Sequence, residues 1–274
     1  MISTKQLNQI KSNGFCIIRN FLDKKDFFLV ENILKNYKFS KFDSRNKFSI
    51  SKKSFFIKFL KLQFKKIYHS ILLNSISLKY DFNKISENVF QEKTYLHNID
   101  TYYNSISNKP VLDWHCDLSS KYTIKKNKIL NPKMSSLKFF FYLTDTQSNN
   151  GCLSYIPKSH IVVKELGRLI FDKEIKYRNF WSLKNLYKIV KDTKIKKILI
   201  KKIGKKYLQD FLKNSKLVLF SKKKNIFDLP AKKGNLIIFD EFGVHRGSKI
   251  NLTPRQVLRF FYRRKEISER FRYN

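Results

Sequence analysis

Along the first 35 residues apolar positions return at helical intervals, whereas beyond about residue 96 they fall into short runs bounded by turn residues. Ser3-x-x-Gln6 predicts a capping box, and Leu7 and Ile10 follow at helical spacing before a stop at Gly14, so a short helix is expected. Phe15 to Ile18 reads as a strand. Asp23 can cap a second helix whose Phe27, Phe28, Val30, Ile33 and Leu34 share one face. Residues 1–95 are therefore expected to be mainly helical. Runs at 101–103, 111–117, 137–143, 153–156, 217–220, 236–239 and 257–262 are β-rich and predict a sandwich or barrel. Between 159 and 215 the strands stop, and Ile195, Ile198, Leu199, Ile203 and Tyr207 approach helical spacing with lysines between them. Residues 160–215 read as a helical insertion packed on the barrel with a solvated lysine face.

A chain of 274 residues can bury a large core without staples, and 1–274 reads as a single domain. Cys16, Cys116 and Cys152 are widely spaced and form no C-x-x-C pair, which argues against a disulfide framework or a cysteine zinc site. A reducing, cytoplasmic setting fits them. The start, Met1-Ile-Ser-Thr-Lys-Gln6, has no signal-peptide character, and no apolar run is long enough to span a bilayer, so a soluble protein is expected. The net charge of +37 can attract phosphate, nucleic acid or an anionic membrane surface. The basic residues are spread along the whole chain, however. Abundant Lys, Asn, Ile and Phe beside scarce Gly and Pro is the usage of coding sequence rich in A and T. Charge therefore changes the picture only by mildly favouring an anionic small-molecule substrate.

Candidate chemistry begins at Asp113-Trp-His115-Cys-Asp117, where an imidazole and a carboxylate two residues apart on a strand project from one face. Trp114 and Cys116 alternate to the other face, where packing against a helical layer explains them. Alone, His-x-Asp is a weak signal. A second histidine, His245, lies 130 residues on, directly after the apolar run from Leu236 and a glycine-bearing turn. Two histidines and one carboxylate on one face make the facial triad that leaves iron positions open for a chelating co-substrate and O₂. Such a co-substrate, a 2-oxo diacid, needs a fixed cation for its far carboxylate. Arg255 is the candidate by position, Arg259 on the same strand face is its reserve, and Ser248 can add a hydroxyl contact.

With these residues in order, the sequence resembles the phytanoyl-CoA dioxygenase-like family of iron(II)- and 2-oxoglutarate-dependent oxygenases. The resemblance is carried by Ile10-Lys-Ser-Asn-Gly14-Phe-Cys-Ile-Ile-Arg-Asn-Phe-Leu22, by Trp114-His-Cys-Asp117, and by Phe141-Tyr-Leu-Thr-Asp145 leading into Asn150-Gly-Cys-Leu-Ser-Tyr-Ile-Pro-Lys-Ser-His160. It ends with the distal His245 and Arg255. It implies a double-stranded β-helix (jelly-roll, cupin-like) core over 96–265 with an N-terminal helical layer. It also implies His115, Asp117 and His245 as iron ligands and Arg255 as the 2-oxoglutarate anchor. The implied reaction uses Fe(II), 2-oxoglutarate and O₂, releases succinate and CO₂, and hydroxylates an unactivated C–H bond of a small metabolite. Related halogenases lack the carboxylate ligand, so Asp117 keeps the expectation on hydroxylation. Two departures are visible: Lys158 replaces a glycine of the family's Pro-Gly-Ser-His loop, and the interval from His245 to Arg255 is slightly short. His160 in that loop reads as structural, and His69 and His97 as ordinary packed or surface histidines.

Two other readings compete. Asn251-Leu-Thr253-Pro-Arg255 resembles the Asn-x-Thr-x-Arg segment of nucleic-acid dealkylating oxygenases, but Lys249 stands where that group has an arginine. The other is a non-catalytic binding protein on the same fold, against which the intact triad argues. Substrate identity has no motif, since residues 1–95 and 160–215, expected to shape the pocket, contain none, and nothing in the sequence speaks to oligomeric state.

Overall fold

The computed structural model describes residues 2–37, 42–43, 56–118, 136–178, 180–221 and 225–264. Helix α1 (Thr4–Asn13) opens on the expected box: Gln6 N–H donates to Ser3 Oγ at 3.2 Å, and Ser3 N–H to Gln6 Oε1 at 2.8 Å. Gly14 ends it with φ of 89°, a left-handed conformation that costs glycine little. Strand β1 (Phe15–Ile18) follows directly, and α2 (Lys24–Lys35) starts where the Asp23 side chain accepts the Asp26 N–H at 2.8 Å. After β2 (Phe42–Asp43) come α3 (Phe56–Lys79) and α4 (Phe82–Phe90). Strands β3 (Thr94–Asn104), β4 (Ser107–Cys116), β5 (Leu137–Tyr142) and β6 (Leu153–Tyr155) are next. A mainly helical stretch then runs through α5 (Ser159–Phe171), β7 (Trp181–Ser182), α6 (Leu183–Lys191), α7 (Thr193–Ile203) and α8 (Lys205–Phe220). The last described elements are β8 (Asp228–Leu229), β9 (Leu236–Asp240), β10 (His245–Ile250) and β11 (Arg255–Arg264).

The strands form two antiparallel sheets, one in the order β1-β9-β5-β11-β3-β2 and the other β7-β4-β10-β6-β8. Side-chain alternation assigns their faces. From β5, Leu137, Phe139 and Phe141 join Leu258 and Phe260 against the N-terminal helices, while Phe140 and Tyr142 meet Leu153 and Tyr155 of the other sheet. With both faces covered, all six residues of β5 are buried, which is why this strand is a continuous apolar run with one exception, Lys138. The smaller sheet turns Trp114, Cys116 and Val244 to the helices between β6 and β8, where they pack with Val162, Leu166 and Leu199. Among the described residues no helix is long and apolar enough to cross a membrane.

Two expectations need correction. The run 217–220 is the last turn of α8, not a strand. An apolar run of four carries no period, and Leu208, Phe211 and Ser215 before it set a buried helical stripe. The insertion reaches Phe220 and breaks at Gly204, so the predicted stripe belongs to two helices. The expected strand at Phe15–Ile18 is present in the mainly helical N-terminal region, and β1 hydrogen-bonds to β9 inside the larger sheet. Phe82 shows what joins this layer to the sheet: it is fully buried, stacks on Phe139 at 4.3 Å and meets Phe260 edge-on at 5.3 Å. Phe82→Ala is expected to cost about 3–5 kcal/mol in urea unfolding. A cost below about 1 kcal/mol would separate α4 from the core.

Candidate metal centre

β4 and β10 are antiparallel neighbours, and His245, the first residue of β10, lies opposite His115 near the end of β4. The two rings are 4.4 Å apart. Asp117 follows the end of β4, where its N–H donates to the Glu241 carbonyl at 3.1 Å. This returns the carboxylate to the histidines: Asp117 Oδ1 is 3.5 Å from His115 Nε2 and Oδ2 is 3.6 Å from His245 Nε2. Each Nδ1 is satisfied by main chain, His115 by the Asp113 carbonyl at 2.6 Å and His245 by the Gly243 carbonyl at 2.8 Å. Those bonds direct both Nε2 atoms toward Asp117. Burial, then the neighbouring His115, push His245 down to about 3, so its imidazole is neutral. Burial alone would raise the Asp117 carboxyl, but Lys138 and the two imidazoles hold it well below the usual carboxylate range.

One ligand atom from each of His115, Asp117 and His245 lies within 4.8 Å of the others, close enough to hold one metal ion. Neutral nitrogen with a single carboxylate suits a divalent first-row metal that keeps further positions open. The walls are aromatic. Phe239 lies 5.2 Å from the His245 ring, Tyr155 stacks parallel to it at 6.5 Å, and half-exposed Phe180 stacks on His115 at 5.8 Å.

The sequence model of the phytanoyl-CoA dioxygenase (PhyH) family matches residues 10–257. The chain belongs to the phytanoyl-CoA dioxygenase family. Among solved structures it is similar to HygX from Streptomyces hygroscopicus with nickel and 2-oxoglutarate bound, at 13% identity and a TM-score of 0.55 over 97% of this chain and 88% of that one. HygX with iron bound gives 14% and 0.56 over 96% and 87%. SnoK, a non-haem α-ketoglutarate-dependent carbocyclase from nogalamycin biosynthesis, gives 12% and 0.55 over 96% and 84%. Likeness at such identities carries the fold. No curated protein sequence matches the chain. As a member of this family the chain is an iron- and 2-oxoglutarate-dependent dioxygenase.

The remaining sequence candidates of this dioxygenase separate clearly. Arg255 is buried, and among the described residues its guanidinium has only neutral partners: Nη1 donates to the Gly151 carbonyl at 2.9 Å and Nη2 to Asn104 Oδ1 at 3.0 Å, while Nε has none. A Cβ on Gly247 would come within 3.5 Å of Nη1, so the missing side chain leaves room beside the cation. Arg259 instead grips the Asp100 carboxylate with Nε at 2.6 Å and Nη2 at 2.7 Å. Ser248 is not brought to Arg255. Alternation along β10 puts it with Arg246 on the face away from His245, and its Oγ lies 3.5 Å from Cys152 Sγ. His160 Nε2 donates to the Lys11 carbonyl at 3.1 Å, and His69 bonds Tyr37; neither joins the triad's ligand group. Sequence reasoning passed over Lys138, which contacts both Asp117 and Glu241. Its signal was a lone charge inside Leu137-Lys-Phe-Phe-Phe-Tyr142.

Gly243 is fixed by crowding, since a Cβ there would lie 1.7 Å from the Tyr155 oxygen, whose hydroxyl donates to the Asp240 carbonyl at 3.1 Å. Gly243→Ala should lower stability by about 1–3 kcal/mol in denaturant titration and weaken iron(II) binding in calorimetry, because the carbonyl that orients His245 moves. Unchanged metal affinity would remove this turn from the ligand scaffold.

Proposed function

We propose that the protein hydroxylates an unactivated C–H bond of a small metabolite, with His115, Asp117 and His245 holding the iron and Arg255 anchoring 2-oxoglutarate. The convergence of the three ligand atoms within 4.8 Å, in a family of this chemistry, carries the reading. Bound iron with 2-oxoglutarate and O₂ supplies an oxidant for C–H bonds, with release of succinate and CO₂. The chain's part is to hold and to exclude. Main-chain carbonyls fix the two imidazoles, and Phe239 and Tyr155 keep water from the buried side of His245.

The choice of Arg255 over Arg259 is supported by charge balance. Leaving one member of a buried ion pair alone costs about 3–5 kcal/mol, so a buried guanidinium without a carboxylate favours an anionic ligand, whereas Arg259 already has one. Gly247, beside Arg255, is two residues from His245 on the inner face of β10, about 7 Å at strand rise and comparable to the length of a five-carbon diacid. We also read the two sheets as a double-stranded β-helix and 1–274 as one domain, supported by β1 pairing within the larger sheet. The nucleic-acid reading gains no support. Lys249 is exposed, and Asn251 bonds Asn149 and Asn150 in a turn between β10 and β11.

Anaerobic titration of the iron(II) protein with 2-oxoglutarate should develop a weak visible charge-transfer band that is absent in His115→Ala. No band in the wild type, or a band persisting in the variant, would overturn the assignment. Arg255→Gln should raise the 2-oxoglutarate needed for half of the band by about 10–100-fold, the worth of a charge-assisted pair, while leaving iron affinity in place. Arg259→Gln should chiefly lower stability; the opposite outcome would make Arg259 the anchor. Release of succinate from 2-oxoglutarate, screened across candidate metabolites, should identify the substrate by its stimulation.

A further inference from the structure

Lys138 is the one charged residue on β5 and is buried at 6% exposure. It projects between the sheets, and its ammonium contacts Asp117 Oδ2 while standing 3.4 Å from Glu241 Oε2. Glu241 is itself held, its Oε1 accepting the Ser136 N–H at 2.8 Å and hydroxyl at 2.6 Å, with Arg263 Nη2 at 3.7 Å. The rings of Phe261 and Phe239, 5.2 and 5.8 Å from the ammonium, fill the space around it. A chain of fixed groups thus runs from β11 and the β9–β10 turn, through β5, to the carboxylate at the end of β4.

The triad histidines are both on the smaller sheet, whereas Lys138 reaches Asp117 from the larger one. Asp117 itself does not distinguish its oxygens, since each lies at nearly the same distance from a different imidazole, 3.5 and 3.6 Å. Only Oδ2 has the ammonium. We propose that Lys138 is a positioning residue that occupies Asp117 Oδ2, so that the carboxylate offers a metal Oδ1 alone and cannot close over it with both oxygens. A one-oxygen carboxylate with two imidazoles leaves three of six positions free, whereas a two-oxygen one leaves two, too few for a chelating co-substrate together with O₂. This role rests on the metal site proposed above and adds a requirement to it.

The test uses manganese(II) as the probe, with bound exchangeable waters counted by pulsed electron paramagnetic resonance, and the band of the iron(II) protein with 2-oxoglutarate as a second readout. Wild type should show three waters. Lys138→Met should show two and need about tenfold more 2-oxoglutarate, the scale on which outer partners of metal ligands act, while still binding manganese. Lys138→Arg, which keeps a donor, should restore the third water. Because Lys138→Met leaves Glu241 with one cation fewer, the double variant K138M/E241Q removes both charges and should also show two waters if the single variant folds poorly. Three waters in the methionine variants, or loss of manganese binding in both, overturns the role. Failure of the wild type to bind manganese or develop the band is a different result, and it sinks the metal site itself.

Discussion

Hydrogen bonding between β4 and β10 is the constraint on which the centre depends. It sets His245 opposite His115, although 130 residues separate them. A slip of one residue would turn His245 to the helical side of the sheet, where Val244 packs, and would bring Arg246 inward. The register is held on both flanks. On one side β6 pairs Tyr155 with His245, and on the other β7 pairs Ser182 with His115. The helices between β6 and β8 therefore act on the centre through the sheet, by covering its outer face.

Ion pairs inside the two-sheet core follow a rule set by desolvation. Asp100 pairs with Arg259, and Asp117 and Glu241 with Lys138, so that each of these buried cations has a carboxylate within reach. Burial opposes the charge of Lys138, yet Asp117 and Glu241 raise it above the usual lysine range. Arg255 departs from the rule, since among the described residues its partners are neutral, and this is what supports the anchor proposed for it. The same accounting makes Asp117 a carboxylate already committed on one side.

Outside the core the large positive charge matters little to the fold. Lys194 with Glu174 and Lys232 with Asp145 are exposed pairs, screened by solvent and of little weight for stability. On α7 the lysines 194, 196, 197, 201 and 202 are exposed while Ile195 and Leu199 are buried, which is an ordinary solvated face on a packed helix.

Local pattern was enough for whatever depends on neighbours in sequence. The Ser3–Gln6 box, the Asp23 cap and the strand after Gly14 follow from spacing, because caps and short runs are decided within a few residues. The run at 217–220 was illegible for the same reason: four apolar residues have no period, and packing of α8 against α5, α6 and α7 decided for helix. The ordered set His115, Asp117, His245 could be named from sequence, but its convergence is a property of β4–β10 register. Sequence ranked Arg255 ahead of Arg259 by position alone; the charge balance that supports this order needs the fold, because both lie on one strand face and a distant residue, Asp100, pairs with Arg259. Lys138 belongs to the same class. One lysine in an apolar strand says that something must receive its charge, and only tertiary structure put Asp117 and Glu241 there.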